Sequence, residues 1–143
     1  MRALDDEHDA IREHAIRHLQ ATPENISKAL SDTCFNVRYL AIRHPNATPE
    51  NIMKALDDEN TDIRWNAIWR EDCTPENIMK ALDDELFRIR TTAMGHPNIT
   101  AECVLKAVKS DAWDTRKAAI NLLQQKSNLG ELEAIKLLYV EDV

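Results

Sequence analysis

Glycine is almost missing from this chain, with two in 143 residues. Tight β-hairpin turns depend on residues that accept positive φ, so the shortage counts against a β-rich fold. Cysteine is sparse and badly placed for pairing: Cys34, Cys73 and Cys103 are odd in number, far apart and in no CxxC spacing. Neither a disulfide framework nor a zinc site is expected, and a reducing compartment is the simpler setting. No apolar run approaches the length of a membrane span, and Met1-Arg2-Ala3-Leu4-Asp5-Asp6 lacks the apolar stretch of a signal peptide. A basic surplus is also lacking, since 18 Lys and Arg face 25 Asp and Glu for a net charge of −7. That balance disfavours an unaided nucleic-acid binder, which must displace counterions, although it leaves room for a local basic stripe. The expectation is one ordinary domain, soluble and cytoplasmic, with no membrane association.

What the sequence does contain is a repeat. Thr22-Pro23-Glu24-Asn25 returns 26 residues later as Thr48-Pro49-Glu50-Asn51, again as Thr74-Pro75-Glu76-Asn77, and weakly as Thr100-Ala101-Glu102. Arg12, Arg38, Arg64, Arg90 and Arg116 hold the same 26-residue interval, as do Ala15, Ala41, Ala67, Ala93 and Ala119. Self-similarity at a fixed period of this length is the signature of stacked supersecondary units.

Each unit reads as two short helices. In the middle copy Thr48 is placed to N-cap a helix whose first residue is Pro49, where a missing amide hydrogen costs nothing. Ile52, Ala55 and Leu56 then share a face, while Glu50 and Lys54 form an i,i+4 pair on the other, as do Glu24/Lys28, Glu76/Lys80 and Glu102/Lys106. Asp57-Asp58-Glu59-Asn60 interrupts the apolar pattern. A second helix begins near Thr61 or Asp62 and carries Ile63, Arg64, Ala67 and Ile68. His44-Pro45-Asn46 and His96-Pro97-Asn98 end second helices, because the residue before proline is driven out of the α region. Helices this short need packed neighbours, and a stack of helix pairs supplies them.

The expected fold is therefore all-α: a right-handed α-solenoid of about five 26-residue helix pairs, at about 1–21, 22–47, 48–73, 74–99 and 100–125. Asp111 to Gln125 reads as one longer helix, and residues 126–143 depart from the repeat as a C-terminal cap, with a last helix from Glu131 to Tyr139. Met1 aligns with the middle of a first helix, so Leu4, Ile11 and Ile16 are expected to lack a covering repeat, which opens that end to self-association.

The run Asp58-x4-Ile63-Arg64-x2-Ala67-Ile68, with His-Pro-Asn and Thr-Pro-Glu in neighbouring units, resembles the leucine-rich repeat variant family and, more broadly, HEAT-like helical repeats. The resemblance covers about residues 3 to 125. It implies an α-helical scaffold that binds proteins, or in some HEAT-like members nucleic acid. The cysteine cluster of iron–sulfur-bearing relatives is missing, so no cofactor is implied. Similarly spaced Asp and Arg residues form a ladder along HEAT-like stacks. On that resemblance Arg12, Arg38, Arg64, Arg90 and Arg116, with Asp32, Asp58 and Asp84, are expected to tie repeats together rather than to bind phosphate.

The remaining polar features have mostly structural readings. His18, His44 and His96 share one repeat position at the end of the second helix, where a ring complements the helix dipole and satisfies a carbonyl. His8 and His14 join them in no metal-ligand spacing. Asp57/Asp58 and Asp83/Asp84 recur with the unit, which suits connections better than general acid–base chemistry. No Walker loop, HExxH or nucleophile motif appears, and no enzyme is expected.

Residues that break the repeat are the better guide to binding. Tyr39 and Arg43 lie on the outward side of one second helix with Phe35 on its flank, followed in later copies by Thr61, Trp65 and Trp69, by Phe87, Thr91 and Gly95, and by Trp113, Lys117 and Asn121. Six of the seven aromatics of the chain fall in this stripe. Trp, Tyr and Arg dominate binding hot spots, so Phe35, Tyr39, Arg43, Trp65, Trp69, Phe87 and Trp113 are the expected partner-binding residues. The leading expectation is a non-catalytic protein–protein interaction module, an adaptor or inhibitor. Alternatives are a nucleic-acid binder in which arginines track phosphates while Trp65 and Trp69 stack on bases, an acidic nucleic-acid mimic, or a base-processing enzyme using Asp62 or Asp72 beside the tryptophans.

Overall fold

The computed structural model of the protein describes residues 2–18 and 20–125. The described residues form a short 3-10 helix, Arg2–Asp5, and nine α-helices with no strand among them. First helices of the repeats are α2 (Pro23–Ala29), α4 (Pro49–Ala55), α6 (Pro75–Ala81) and α8 (Ala101–Val108). Second helices are α1 (Asp9–Ile16), α3 (Phe35–Ile42), α5 (Thr61–Ile68), α7 (Phe87–Met94) and the longer α9 (Trp113–Gln125). None of the described helices is long and apolar enough to cross a membrane.

Short helices of seven or eight residues start where local chemistry satisfies their free amides. Thr48 Oγ accepts from the Asn51 N–H at 3.3 Å while Asn51 Oδ1 accepts from the Thr48 N–H at 2.9 Å, a reciprocal capping box behind Pro49. Thr22/Asn25 and Thr74/Asn77 repeat it. Second helices are entered through an Asx turn: Asp32, Asp58 and Asp84 each accept from the N–H two residues on, at 2.8, 2.8 and 2.9 Å. Ser110 Oγ takes the place of the carboxylate before α9, accepting from Ala112 N–H at 3.2 Å.

The chain divides into two compact units at Cys73/Thr74, which is also the end of the third repeat. In the first unit α1 packs on α3, α3 on α5, and α2 on both α3 and α4, with α4 against α5. Its core is a set of repeated columns: Ile26 and Ile52, Ala29 and Ala55, Val37 and Ile63, Ala41 and Ala67, Ile42 and Ile68, all essentially inaccessible. Alanine where the second helices face each other lets them approach closely, and each buried isoleucine contributes about 1.5–3 kcal/mol. The second unit packs α6 on α7 and α8, and α9 on α7 and α8, over Ile78, Ala81, Ile89, Ala93, Val104, Ala107 and Ala119.

Two sequence expectations change. Of the three apolar residues expected to lack a covering repeat, Leu4 and Ile16 are buried and Ile11 is 45% exposed. Three lysines of the first helices reach away from the glutamates one turn before them. Lys28 instead pairs with Asp5, Lys54 donates to the Ser27 carbonyl at 2.5 Å, and Lys106 reaches the Met79 carbonyl at 2.9 Å and Asp83 at 2.5 Å. Of these contacts only that of Lys106 to the Met79 carbonyl is part-buried; the others lie in water, as an i,i+4 pair would, and each is worth little. The C-terminal cap expected at 126–143 lies outside the described residues.

Candidate functional site

The arginine column shows what is already committed. Every member donates Nη1 to the backbone carbonyl six residues before it: Arg12 to Asp6 (2.7 Å), Arg38 to Asp32 (2.9 Å), Arg64 to Asp58 (2.9 Å), Arg90 to Asp84 (2.8 Å) and Arg116 to Ser110 (2.6 Å). The Asp–Arg spacing of six seen in the sequence is thus a side chain-to-backbone contact. Carboxylate partners come from the next copy, with Arg12 Nε on Asp32 at 2.7 Å and Arg38 Nε on Asp58 at 2.9 Å. Burial pushes the Asp32 carboxyl up, but the Arg12 guanidinium and the Cys34 N–H outweigh it and hold it below its ordinary value. In the second unit, where Ser110 occupies the aspartate position, Arg90 turns to Asp114 at 2.7 Å and Thr115 Oγ1 at 3.1 Å. Asp114 is likewise depressed, burial being outweighed by hydrogen bonds from Arg90 and the Thr115 N–H.

A second column was only half legible. His44 Nδ1 accepts from the Asn46 N–H at 3.0 Å, which leaves Nε2 as the donor to the His18 carbonyl at 3.0 Å. His44 therefore bonds to the end of the preceding second helix. Arg70 stands at the same repeat position and does the same with a larger fork, donating to the carbonyls of Ile42 (2.9 Å) and His44 (3.0 Å) and pairing bidentately with Asp72. Hydrogen bonding to Arg70 pulls the Asp72 carboxyl down against the upward push of burial.

A third column was missed. Asn51, buried by its neighbours, uses its remaining Nδ2 to donate to the Pro23 carbonyl at 3.1 Å, so a capping residue also links consecutive first helices. Cys103 occupies that position in the fourth copy and turns Sγ toward the Pro75 carbonyl at 3.6 Å. The sequence signal was present in the invariance of Asn25, Asn51 and Asn77 next to Thr-Pro-Glu.

The acid pairs are divided between jobs. Asp58 is buried in the arginine column while Asp57 is exposed, and Asp83 pairs with Lys106 while Asp84 caps the approach to α7. No group of three or more His, Cys, Asp or Glu converges as a metal cage among the described residues. Burial pushes the Cys73 thiol up to about 12, which keeps it protonated and unreactive at neutral pH.

Against these occupied columns the aromatic residues stand out. In the first unit Phe35 and Tyr39 stack one turn apart on α3 with centroids 5.6 Å apart, and the Arg43 guanidinium lies 5.2 Å from the Tyr39 centroid while donating to its hydroxyl at 2.7 Å. On α5, which packs against α3, Trp65 and Trp69 meet edge to face at 5.5 Å and 73°. Phe35 and Arg43 are exposed, Tyr39 and Trp65 are half-buried, and Trp69 is 59% exposed. Four rings and a guanidinium therefore share the faces of two adjoining helices. In the second unit Leu86 and Phe87 are exposed at the start of α7, and Trp113, 66% exposed, opens α9 with Lys117 Nζ 5.9 Å from its centroid. Neither Phe87 nor Trp113 stacks on another ring among the described residues.

No protein-family model and no curated protein matches this sequence.

Proposed function

We propose that this protein is a non-catalytic protein–protein interaction module, in which helix-pair repeats continue as a right-handed α-solenoid of about five 26-residue units. Supporting the repeat reading are the three columns that join one copy to the next inside the first unit: Arg38 to Asp58, His44 to the His18 carbonyl and Asn51 to the Pro23 carbonyl. Three free thiols, at Cys34, Cys73 and Cys103, suit a reducing, cytoplasmic setting.

The observation that carries the binding reading is the exposure of Trp69 on a cluster of four rings. The repeated core columns are Ile, Val, Leu or Ala held in register, whereas the Phe35–Tyr39–Arg43 and Trp65–Trp69 groups interrupt the repeat, with Phe35, Arg43 and Trp69 exposed and Tyr39 and Trp65 half-buried. Burying such a cluster under a partner gives large area per residue at little entropic cost, with the surrounding charges setting specificity. Of the arginines that a nucleic-acid reading would use, Arg38, Arg70 and Arg90 hold carboxylates while Arg43 stays exposed, and the net charge of −7 disfavours a phosphate backbone, so a protein is the better partner.

Affinity capture from source-cell lysate, comparing wild type with Trp65→Ala/Trp69→Ala, tests this. A protein retained by wild type and lost by the variant, with helical circular dichroism unchanged, is the expected result. An unchanged captured set makes the tryptophans structural, and a wild-type capture emptied by nuclease returns the nucleic-acid reading.

A further inference from the structure

Arg17, Arg43 and Trp69 are the C-cap residues of α1, α3 and α5. Hydrogen bonds beyond their C-termini, and one further bond between α1 and α3, set these helices side by side and in the same direction. His44, just beyond α3, donates to the His18 carbonyl just beyond α1 at 3.0 Å; Arg70, just beyond α5, donates to the Ile42 and His44 carbonyls at 2.9 and 3.0 Å. Near the other end, Asn36 of α3 donates to Glu13 of α1 at 3.2 Å. The C-caps therefore form one edge of the first unit, in the order Arg17, Arg43, Trp69.

Asp9 and Asp62 stand in the first turns of α1 and α5, Arg17 and Arg43 stand at the C-terminal edge, and beyond Trp69 the edge continues with Arg70, Glu71 and Asp72, of which Asp72 pairs with Arg70. Arg17 meets Glu13 at 3.7 Å with its side chain 58% exposed, a loose pair in water. Arg43 has no carboxylate within ion-pair distance among the described residues. Its guanidinium lies over Tyr39 and spends one N–H on the Tyr39 hydroxyl, and the residue is exposed. A guanidinium held this way matches a carboxylate as a fork. Next to it on α5, Trp69 offers an exposed apolar plate.

The spacing selects a ligand geometry. Packed helices lie about 8–10 Å apart. A polyproline II segment has three residues per turn, so every third side chain returns to one face after about 9 Å. We propose that the edge Arg17–Arg43–Trp69 binds an acidic peptide segment in this conformation, with carboxylates on two residues spaced by three and a bulky apolar residue three further along. This rests on the binding reading above and gives that partner its chemistry.

The test uses the full chain and synthetic peptides carrying Glu-x-x-Glu-x-x-Trp, with frames in which Glu is replaced by Gln or Lys and frames with the spacing set to two or four. The three-spaced acidic frame is expected to bind about 10-fold or more tighter than its Gln form, the scale of a charge-assisted hydrogen bond. Arg43→Glu, an exposed change checked by circular dichroism, is expected to lose the Glu frame and gain the Lys frame, while Arg43→Lys weakens the Glu frame only partly. No binding to any frame, equal binding of Glu, Gln and Lys frames, or an Arg43→Glu profile like wild type overturns the proposal. If Trp69→Ala still removes a captured protein in that event, the interaction reading survives. If it removes nothing, both fall.

Discussion

Arg38 and Asp58 show how much of this fold rests on single polar contacts. Their side chains are only 10% and 6% exposed, and each also serves a backbone group, the Asp32 carbonyl for Arg38 and the Asn60 N–H for Asp58. Removing one partner strands a buried charge, so Asp58→Ala should lower unfolding free energy by about 3–5 kcal/mol in urea titration. Arg38→Met/Asp58→Leu should recover part of that loss, because neither charge is then buried alone. The pH dependence follows from Asp32 and Asp114, whose folded values lie below the ordinary 3.8. Their stabilisation is fully present above the unfolded value and is lost as pH falls through it toward the folded value. The thermal unfolding midpoint should therefore fall progressively below about pH 5, and Asp32→Asn should flatten that slope. The recurrence of arginine and aspartate was legible in the sequence, but the partner of each was not. An interval of six suggests a pair within one repeat, and only the folded chain shows that interval spent on a carbonyl and the carboxylate supplied from the next copy.

Helices of seven residues such as α4 do not persist alone, and their ends decide whether they form at all. Thr48→Ala removes one half of the capping box and should cost about 1 kcal/mol. Asn51→Ala removes the other half and also the part-buried hydrogen bond to the Pro23 carbonyl, so its cost should be larger, about 1–3 kcal/mol for two lost bonds. In chemical denaturation the double variant should lose less than the sum of the singles, since both act on one N-terminus. Element boundaries were readable because proline at the first helical turn and aspartate at the connection act locally. The second role of Asn51 was not, since it depends on a residue 28 positions away that only stacking brings close. The same distance hid the lysines: Glu50 and Lys54 look like a pair on a helical wheel, yet Lys54 is drawn to the Ser27 carbonyl of the neighbouring first helix.

On the scale of the whole molecule, each compact unit keeps its own apolar columns beneath, and an aromatic face on its second helices. The outward placement of Phe35, Tyr39, Trp65 and Trp69 could be reasoned from helical spacing, but not their mutual stacking or the seating of Arg43 on Tyr39, which depend on rotamers. Whether that face belongs to the fold or to a partner is the central question, and Trp69→Ala separates the two. Unfolding free energy and partner capture should be measured on the same preparation of wild type and variant. Loss of the edge-to-face contact with Trp65 should cost no more than about 1.5 kcal/mol, with the captured protein gone. A loss of about 3–5 kcal/mol, the scale of a core tryptophan, with capture intact would contradict the account and return Trp69 to the fold.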